Sequence, residues 1–224
     1  MGNYKDATLE KLAELGNGNY GYIDTLAEAR KLLVEEMNST LVTVAKDVKI
    51  QVEFNPAQVA AYRLIGYENR LLRKEEFNDD AKDAGDIGAG HTVTALYEVV
   101  PPGRPIPAAG VDPLKYQTAA AEPRPASGEL FTIKLRYKTP DGTNSQLMTI
   151  PFTDRGTRLE TASVDFKFAA AVAAFGMLLR GTEHKGAATP TMVRDLAKPG
   201  NNSAYRAEFL ELVESVNQRL QPAR

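Results

Sequence analysis

Hydrophobic spacing along this chain changes period twice, and that switch limits the available folds more than any other feature. Up to about position 40 the apolar residues recur at helical spacing. From Val48 to Phe152 they alternate with polar residues, and beyond Ser163 the helical spacing returns. A strand-patterned middle between helix-patterned ends reads as an α+β protein, with antiparallel-style connections between its strands.

The first 40 residues read as helix, strand, helix. Asp6 can cap a helix with Leu9, Leu12 and Leu15 on one face, ended by Gly16. Gly16-Asn17-Gly18-Asn19 is a turn, and Tyr20 to Ile23 a short strand. Asp24 or Thr25 starts the next helix, with Thr25 and Glu28 at capping-box spacing. Leu26, Leu33, Val34 and Met37 are expected to form its buried stripe.

Five strands are expected next. Val48, Ile50, Val52 and Phe54 alternate with Lys49, Gln51 and Glu53, and Asn55-Pro56 ends the run. Val59 to Glu68 is apolar on both sides and is expected to be central. Val93, Ala95, Tyr97 and Val99 mark a third strand. Phe131 to Tyr137 and Met148 to Phe152 make a hairpin around Pro140-Asp141-Gly142. Between them Pro101, Pro102, Pro105, Pro107, Pro113, Pro123 and Pro125 rule out a regular ladder, so 101–128 is expected to be an extended surface loop.

The last third is helical. Ser163 can cap a helix with Val164, Phe168, Val172, Phe175 and Leu179 on one stripe, and its alanines at 169–171 and 173–174 allow close approach of another element. Residues 191–197 form a short helix. Ser203 opens a final one, with Phe209, Leu212, Val213, Val216 and Leu220 on its buried side.

Composition removes several function classes. Without cysteine there are no disulfides, no thiolate chemistry and no Cys-based metal or iron–sulfur sites. The formal net charge is -2 with both signs mixed, which gives no electrostatic footprint for nucleic acid and no polybasic membrane anchor. No apolar run approaches a bilayer span, and Met-Gly-Asn-Tyr-Lys-Asp does not open like a signal peptide.

Three stretches carry a family likeness. They are Gly2 to Asp6 with Gly16 to Ala29; Val48 to Pro56 running into Tyr62 to Arg70; and Asp83-Ala84-Gly85-Asp86-Ile87-Gly88-Ala89-Gly90-His91 continuing to Glu98. Together they resemble the C-terminal region of the YfbK-type von Willebrand factor A proteins, a domain of unknown function that follows the A domain. The resemblance implies that residues 1–38 are the last strand and flanking helices of an A domain. It also implies a bacterial envelope location, often as a lipoprotein whose anchor is not in this sequence. The Asp-x-Ser-x-Ser loop of an A-domain metal site is absent from the chain, so no metal-site residue carries over.

The remaining candidates for chemistry cluster loosely. Asn78 to Asp86 is acidic, but calcium wants six to eight oxygens with carboxylates at alternate positions and a distal Glu, and Asp79 and Asp83 stand four apart around Ala81. Gly85 to Gly90 is glycine-rich yet leads into a strand, whereas a phosphate cradle leads into a helix. Tight turns with positive φ account for its glycines. His91 could be oriented by Asp83 or Asp86, but no Gly-x-Ser-x-Gly elbow offers a nucleophile. Tyr62, Arg63 and Arg70 are of the residue types favoured at interface anchors.

The expected fold is thus an antiparallel, β-sandwich-like sheet over 39–156 with a proline-rich loop at 101–128. A helical subdomain over 157–224 flanks it, and the truncated α/β remnant 1–38 precedes it. No catalytic residue, metal or cofactor is expected. The expected function is non-enzymatic protein interaction or scaffolding beside the A domain, with self-association possible through uncovered sheet edges. The alternative is a small-ligand, carbohydrate or calcium-dependent binding domain. It would use the loop from Asp79 through Asp83 and Asp86 to His91, with Tyr62, Arg63 and Arg70.

Overall fold

The computed structural model describes residues 5–16, 18, 20–66, 71–82, 84–105 and 128–220. It is α+β, and the chain divides into two compact units, each assembled from separate stretches of sequence. The first draws on 1–58, 70–93 and 127–153; the second draws on 59–69, 94–126 and 154–224.

The first unit begins with α1 (Asp6–Leu15), α2 (Leu26–Arg30), a π-helical turn (Lys31–Glu35) and α3 (Met37–Leu41). Thr25 caps α2 as its spacing predicts, its Oγ1 accepting from the Glu28 amide at 3.1 Å. Tyr20 to Ile23 is not a strand; the backbone there joins no ladder. Nor is the expected stripe of the second helix buried. Leu26 is 88% exposed, Leu33 62% and Val34 63%, and on α1 Leu15 is 75% exposed. The apolar pattern is real, but no described element covers it.

A four-stranded antiparallel sheet follows, in the order β3 (Gly85–Gly88), β1 (Thr43–Phe54), β5 (Glu129–Lys138), β6 (Gln146–Thr153). The β5–β6 hairpin forms where the alternation predicts it. Register places Ile50, Leu135 and Met148 in one row. Val52, Ile133 and Ile150 form the next row, and Phe54, Phe131 and Phe152 the third. One face of the sheet is therefore a three-by-three apolar grid. Its aromatic row is packed ring to ring, with Phe131 stacked on Phe152 at 4.8 Å and edge-on to Phe54 at 5.7 Å.

β3 was not expected. Gly85 to Gly88 reads as turn, yet it pairs with β1, and of this glycine-rich run only Gly90 has positive φ, at +78°. Gly88 has a different reason to be glycine: a Cβ there would collide with the Ser39 carbonyl, because α3 lies directly against β3. The Ala89 amide donates to the Val42 carbonyl at 2.7 Å and locks that approach.

The second unit contains β2 (Ala61–Ile65) paired antiparallel with β4 (Leu96–Val100), then α4 (Val164–Arg180), α5 (Pro190–Ala197) and α6 (Ala204–Leu220). The strand expected over Val59 to Glu68 is half that length and belongs to this two-stranded ribbon, not to a central position. Val93 and Ala95 likewise precede β4. Among the described residues the strands are six where five were expected, shared between two sheets. The loop expected at 101–128 lies, from 106 to 127, outside the described residues.

Helix boundaries follow the sequence closely. Ser163 Oγ accepts from Phe166 N, Thr189 Oγ1 from Met192 N and Ser203 Oγ from Arg206 N. Gly181 ends α4 at φ +62°. The stripe expected on α4 is buried only in part: Phe168 and Phe175 pack in the core as expected, joined by Ala171 and Ala174, while Val164, Val172 and Leu179 are 42%, 43% and 59% exposed. The small alanines let α5 approach until Val193 and Ala197 are fully enclosed, with Val213 of α6. On α6, Leu212 points outward at 54% exposure. Phe209 bridges Phe168 and Phe175 edge-on at 5.3 and 5.5 Å. Arg206 lies over the Phe168 ring and bonds the Gly200 carbonyl and the Asp165 carboxylate.

Candidate functional site

The polar face of the four-stranded sheet presents a problem of like charge. Register sets Lys49 opposite Arg136 and Lys46 opposite Lys138, and cations placed directly across a ladder repel. The segment from Glu75 to Asp86 resolves it. Phe77, 6% exposed, sits beneath the Arg136 guanidinium at 5.6 Å. Asn78 Oδ1 accepts from Arg136 Nη2 at 3.0 Å, the Asp79 carbonyl accepts from Lys49 Nζ, and the Asp80 carbonyl accepts from Lys138 Nζ at 3.1 Å. Lys46 Nζ is taken by the Pro140 carbonyl. Each cation thereby gains an oxygen partner, and Lys49 is only 2% exposed.

Asp47 completes the cluster. It stands at a break in the β1 register and has positive φ, at +50°, which a non-glycine residue adopts only when held. Hydrogen bonds through both its side chain and its amide hold it. Oδ2 accepts from Lys138 Nζ at 2.7 Å, Oδ1 from Ala84 N at 3.3 Å, and its own amide donates to Asp86 Oδ1 at 3.1 Å.

Two carboxylates here sit below their usual range. The Ser145 hydroxyl, then its amide, bond Asp80, and the charges of Arg136 and Lys138 add to them. Glu76 is lowered chiefly by the Arg73 amide, 2.9 Å away, with help from Lys82. In the other unit burial raises the Tyr97 phenol, and neighbouring Tyr62 adds to the shift.

The residues singled out from the sequence fall as follows. Asp79 Oδ1 caps its own turn, accepting from Ala81 N at 2.9 Å, and Asp86 holds Asp47. His91 is exposed, and its amide donates to Gly88. Arg63 pairs with Glu98 across the β2–β4 ladder at 2.6 Å and reaches Met177 Sδ and the His184 carbonyl, so it ties the ribbon to the helices. Tyr62 is 57% exposed on β2. Asp83 and Arg70 lie outside the described residues. Among the described residues no three His, Asp or Glu side chains gather as a metal would need. No described helix is long and apolar enough to cross a membrane.

Sequence reasoning missed Asp47, Lys49, Asp80, Arg136, Lys138 and Ser145. The alternation of Lys49 and Arg136 with apolar residues marks a solvent-facing side. Only the register reveals that they oppose each other, and only the fold brings the acidic segment over them.

A family model described as "Uncharacterized protein YfbK, C-terminal" matches residues 39–219. The chain is also 45% identical over 219 residues to "Uncharacterized protein YfbK" of Escherichia coli (strain K12). That alignment covers 95% of this chain and 36% of the relative, so the chain spans little more than a third of its relative's length. No solved structure matches.

Proposed function

The chain belongs to the family of YfbK C-terminal regions, and on that premise we propose that it is a non-enzymatic scaffolding domain that docks beside a von Willebrand factor A domain in a bacterial envelope protein. Residues 1–38 are read as the tail of that A domain, and the strands as a sandwich-like support for it. One observation carries the reading. The N-terminal helices have apolar faces patterned for burial but turned to solvent, with Leu26 at 88%, Leu15 at 75% and Val34 at 63% exposure. Such a face is half of an interface.

The rival reading, a calcium or carbohydrate loop at Asp79–His91, is less favoured. The carbonyls of Asp79 and Asp80 and the carboxylates of Asp47 and Asp86 already serve the protein's own cations and amides. Hydrogen exchange tests the proposal. Amides between residues 6 and 41 are expected to exchange markedly more slowly when the A-domain sequence is present in the same polypeptide. A Leu26→Glu, Leu33→Glu double variant should abolish that protection. Equal exchange with and without the A domain overturns the reading.

A further inference from the structure

The oxygens that residues 78 and 79 place on Arg136 and Lys49 are uncharged, and we propose that a small monovalent anion of halide size binds beneath them, between the two cations. Lys49 and Arg136 are direct partners across the β1–β5 ladder. Their head groups converge, because Lys49 Nζ donates to the Asp79 carbonyl and Arg136 Nη2 to Asn78 Oδ1, on adjacent residues of one segment. Directly opposed side chains stand roughly 4.5–5.5 Å apart at Cβ, close enough for one ion to bridge their heads.

Unused donors identify the ligand. Arg136 places Nη1 on the Ser145 hydroxyl and Nη2 on Asn78, but its Nε is buried and meets no acceptor among the described residues. Lys49 is 2% exposed, and among the described residues one acceptor reaches an ammonium that has three N–H bonds. Buried donors without acceptors destabilise a fold, and buried like charges do so further. The neighbouring carboxylates are engaged elsewhere. Asp80 is bonded by the Ser145 hydroxyl and amide, Asp79 by the Ala81 amide and Asp47 by Lys138.

An anion fits these donors better than water does. Water must place two protons of its own, whereas a halide only accepts, and it offsets the like charge as well. Phe77, itself 6% exposed, lies against the Arg136 guanidinium and closes one side with an apolar ring, where a charge–charge contact is screened less than in water. The ion is thus a structural ligand that fastens the segment around Phe77 to Asp80 onto the sheet. The inference does not rest on the A-domain reading: Leu26 and Leu33 test that one, whereas Lys49 and Arg136 test this one.

The experiment is thermal melting of the whole chain while sodium chloride or bromide replaces sodium gluconate at constant ionic strength. The melting temperature should climb with halide and level off about 2–4 °C above its value in gluconate. Lys49→Met keeps an unbranched side chain without the charge, and its melting temperature should not follow halide. Arg136→Lys keeps the charge but removes Nε, and should raise the half-saturating halide concentration several-fold; it serves if the methionine variant does not fold. Wild-type melts that ignore halide overturn the proposal, as does a halide response in the variants equal to that of the wild type. In crystals grown in bromide, an anomalous peak is expected between Lys49 Nζ and Arg136 Nε, and a water in that position overturns the proposal.

Discussion

Lys49 and Arg136 face each other directly across the β1–β5 ladder, and neither is held by a carboxylate of its own strand pair. Their partners come from the segment after Glu75: the Asp79 carbonyl for Lys49, and Asn78 with the Phe77 ring for Arg136. Asp47 does the same for Lys138 through an ion pair in which the side chains are 21% and 16% exposed. Asp47→Ala is therefore expected to lower stability by about 1–3 kcal/mol in urea denaturation, because it leaves a part-buried ammonium short of its anion. Asp47→Asn should cost less, since the amide oxygen still accepts hydrogen bonds. Equal midpoints for wild type and Asp47→Ala would show that the pair is idle.

Acid should loosen the same cluster. Asp80 and Glu76 are held below their ordinary values of 3.8 and 4.5, so both bind protons less readily in the folded chain than in the unfolded one. The stability they supply is complete above those ordinary values and is lost as pH falls through the lower folded ones. Asp80→Asn should flatten the acid limb of a melting-temperature profile. An unchanged acid limb would contradict the role given to Ser145.

At alkaline pH the sign reverses. Burial lifts the Tyr97 phenol above its ordinary 10.0, so its contribution is whole below that value and is lost as pH climbs through the folded one. Tyr97→Phe should remove this loss, and the alkaline melts of the two proteins should diverge only there.

Two glycines three residues apart on β3 separate a close approach from open space. Gly88→Ala forces a methyl group into the Ser39 backbone and is expected to cost about 1–3 kcal/mol. Gly85→Ala meets nothing within 4 Å and should be near neutral. Equal destabilisation by both would mean that α3 does not lie against β3.

The helical core offers a matched pair. Val193→Ala empties a fully enclosed position and should cost about 1–3 kcal/mol, whereas Val172→Ala, at a site 43% exposed, should stay within about 0.5 kcal/mol. Thermal melts that rank the two the other way would reverse the facing of α4.

What could be read from the chain follows from which forces are local. The β5–β6 hairpin, the Thr25 and Ser163 caps and the extents of α4, α5 and α6 were legible, because alternation, capping oxygens and helical spacing act within a few residues. β3 was not, because Gly-Asp-Ile-Gly has a single apolar residue and owes its extended form to β1. The alanines of α4 were legible as a place of close approach, but the exposure of Val164, Val172 and Leu179 was not. Small side chains give a weak pattern, and the approach of α5 decides which side of α4 is enclosed. Burial of Lys49 was invisible for a related reason, since its cover arrives thirty residues further on. Of the candidate site, Asp79 and Asp86 were found but their task was not. Their acidity suggested a cation from outside, whereas their carboxylates accept from the amides of Ala81 and Asp47, and the Asp79 carbonyl is what meets a cation of the sheet.

The threading of the two units has a consequence for engineering and for inheritance. Each is stitched from stretches that alternate along the chain, so no single cut yields either one intact. A truncation meant to isolate the helices also removes strands from the sheet, and a duplication or fusion that spares one unit must carry the other with it.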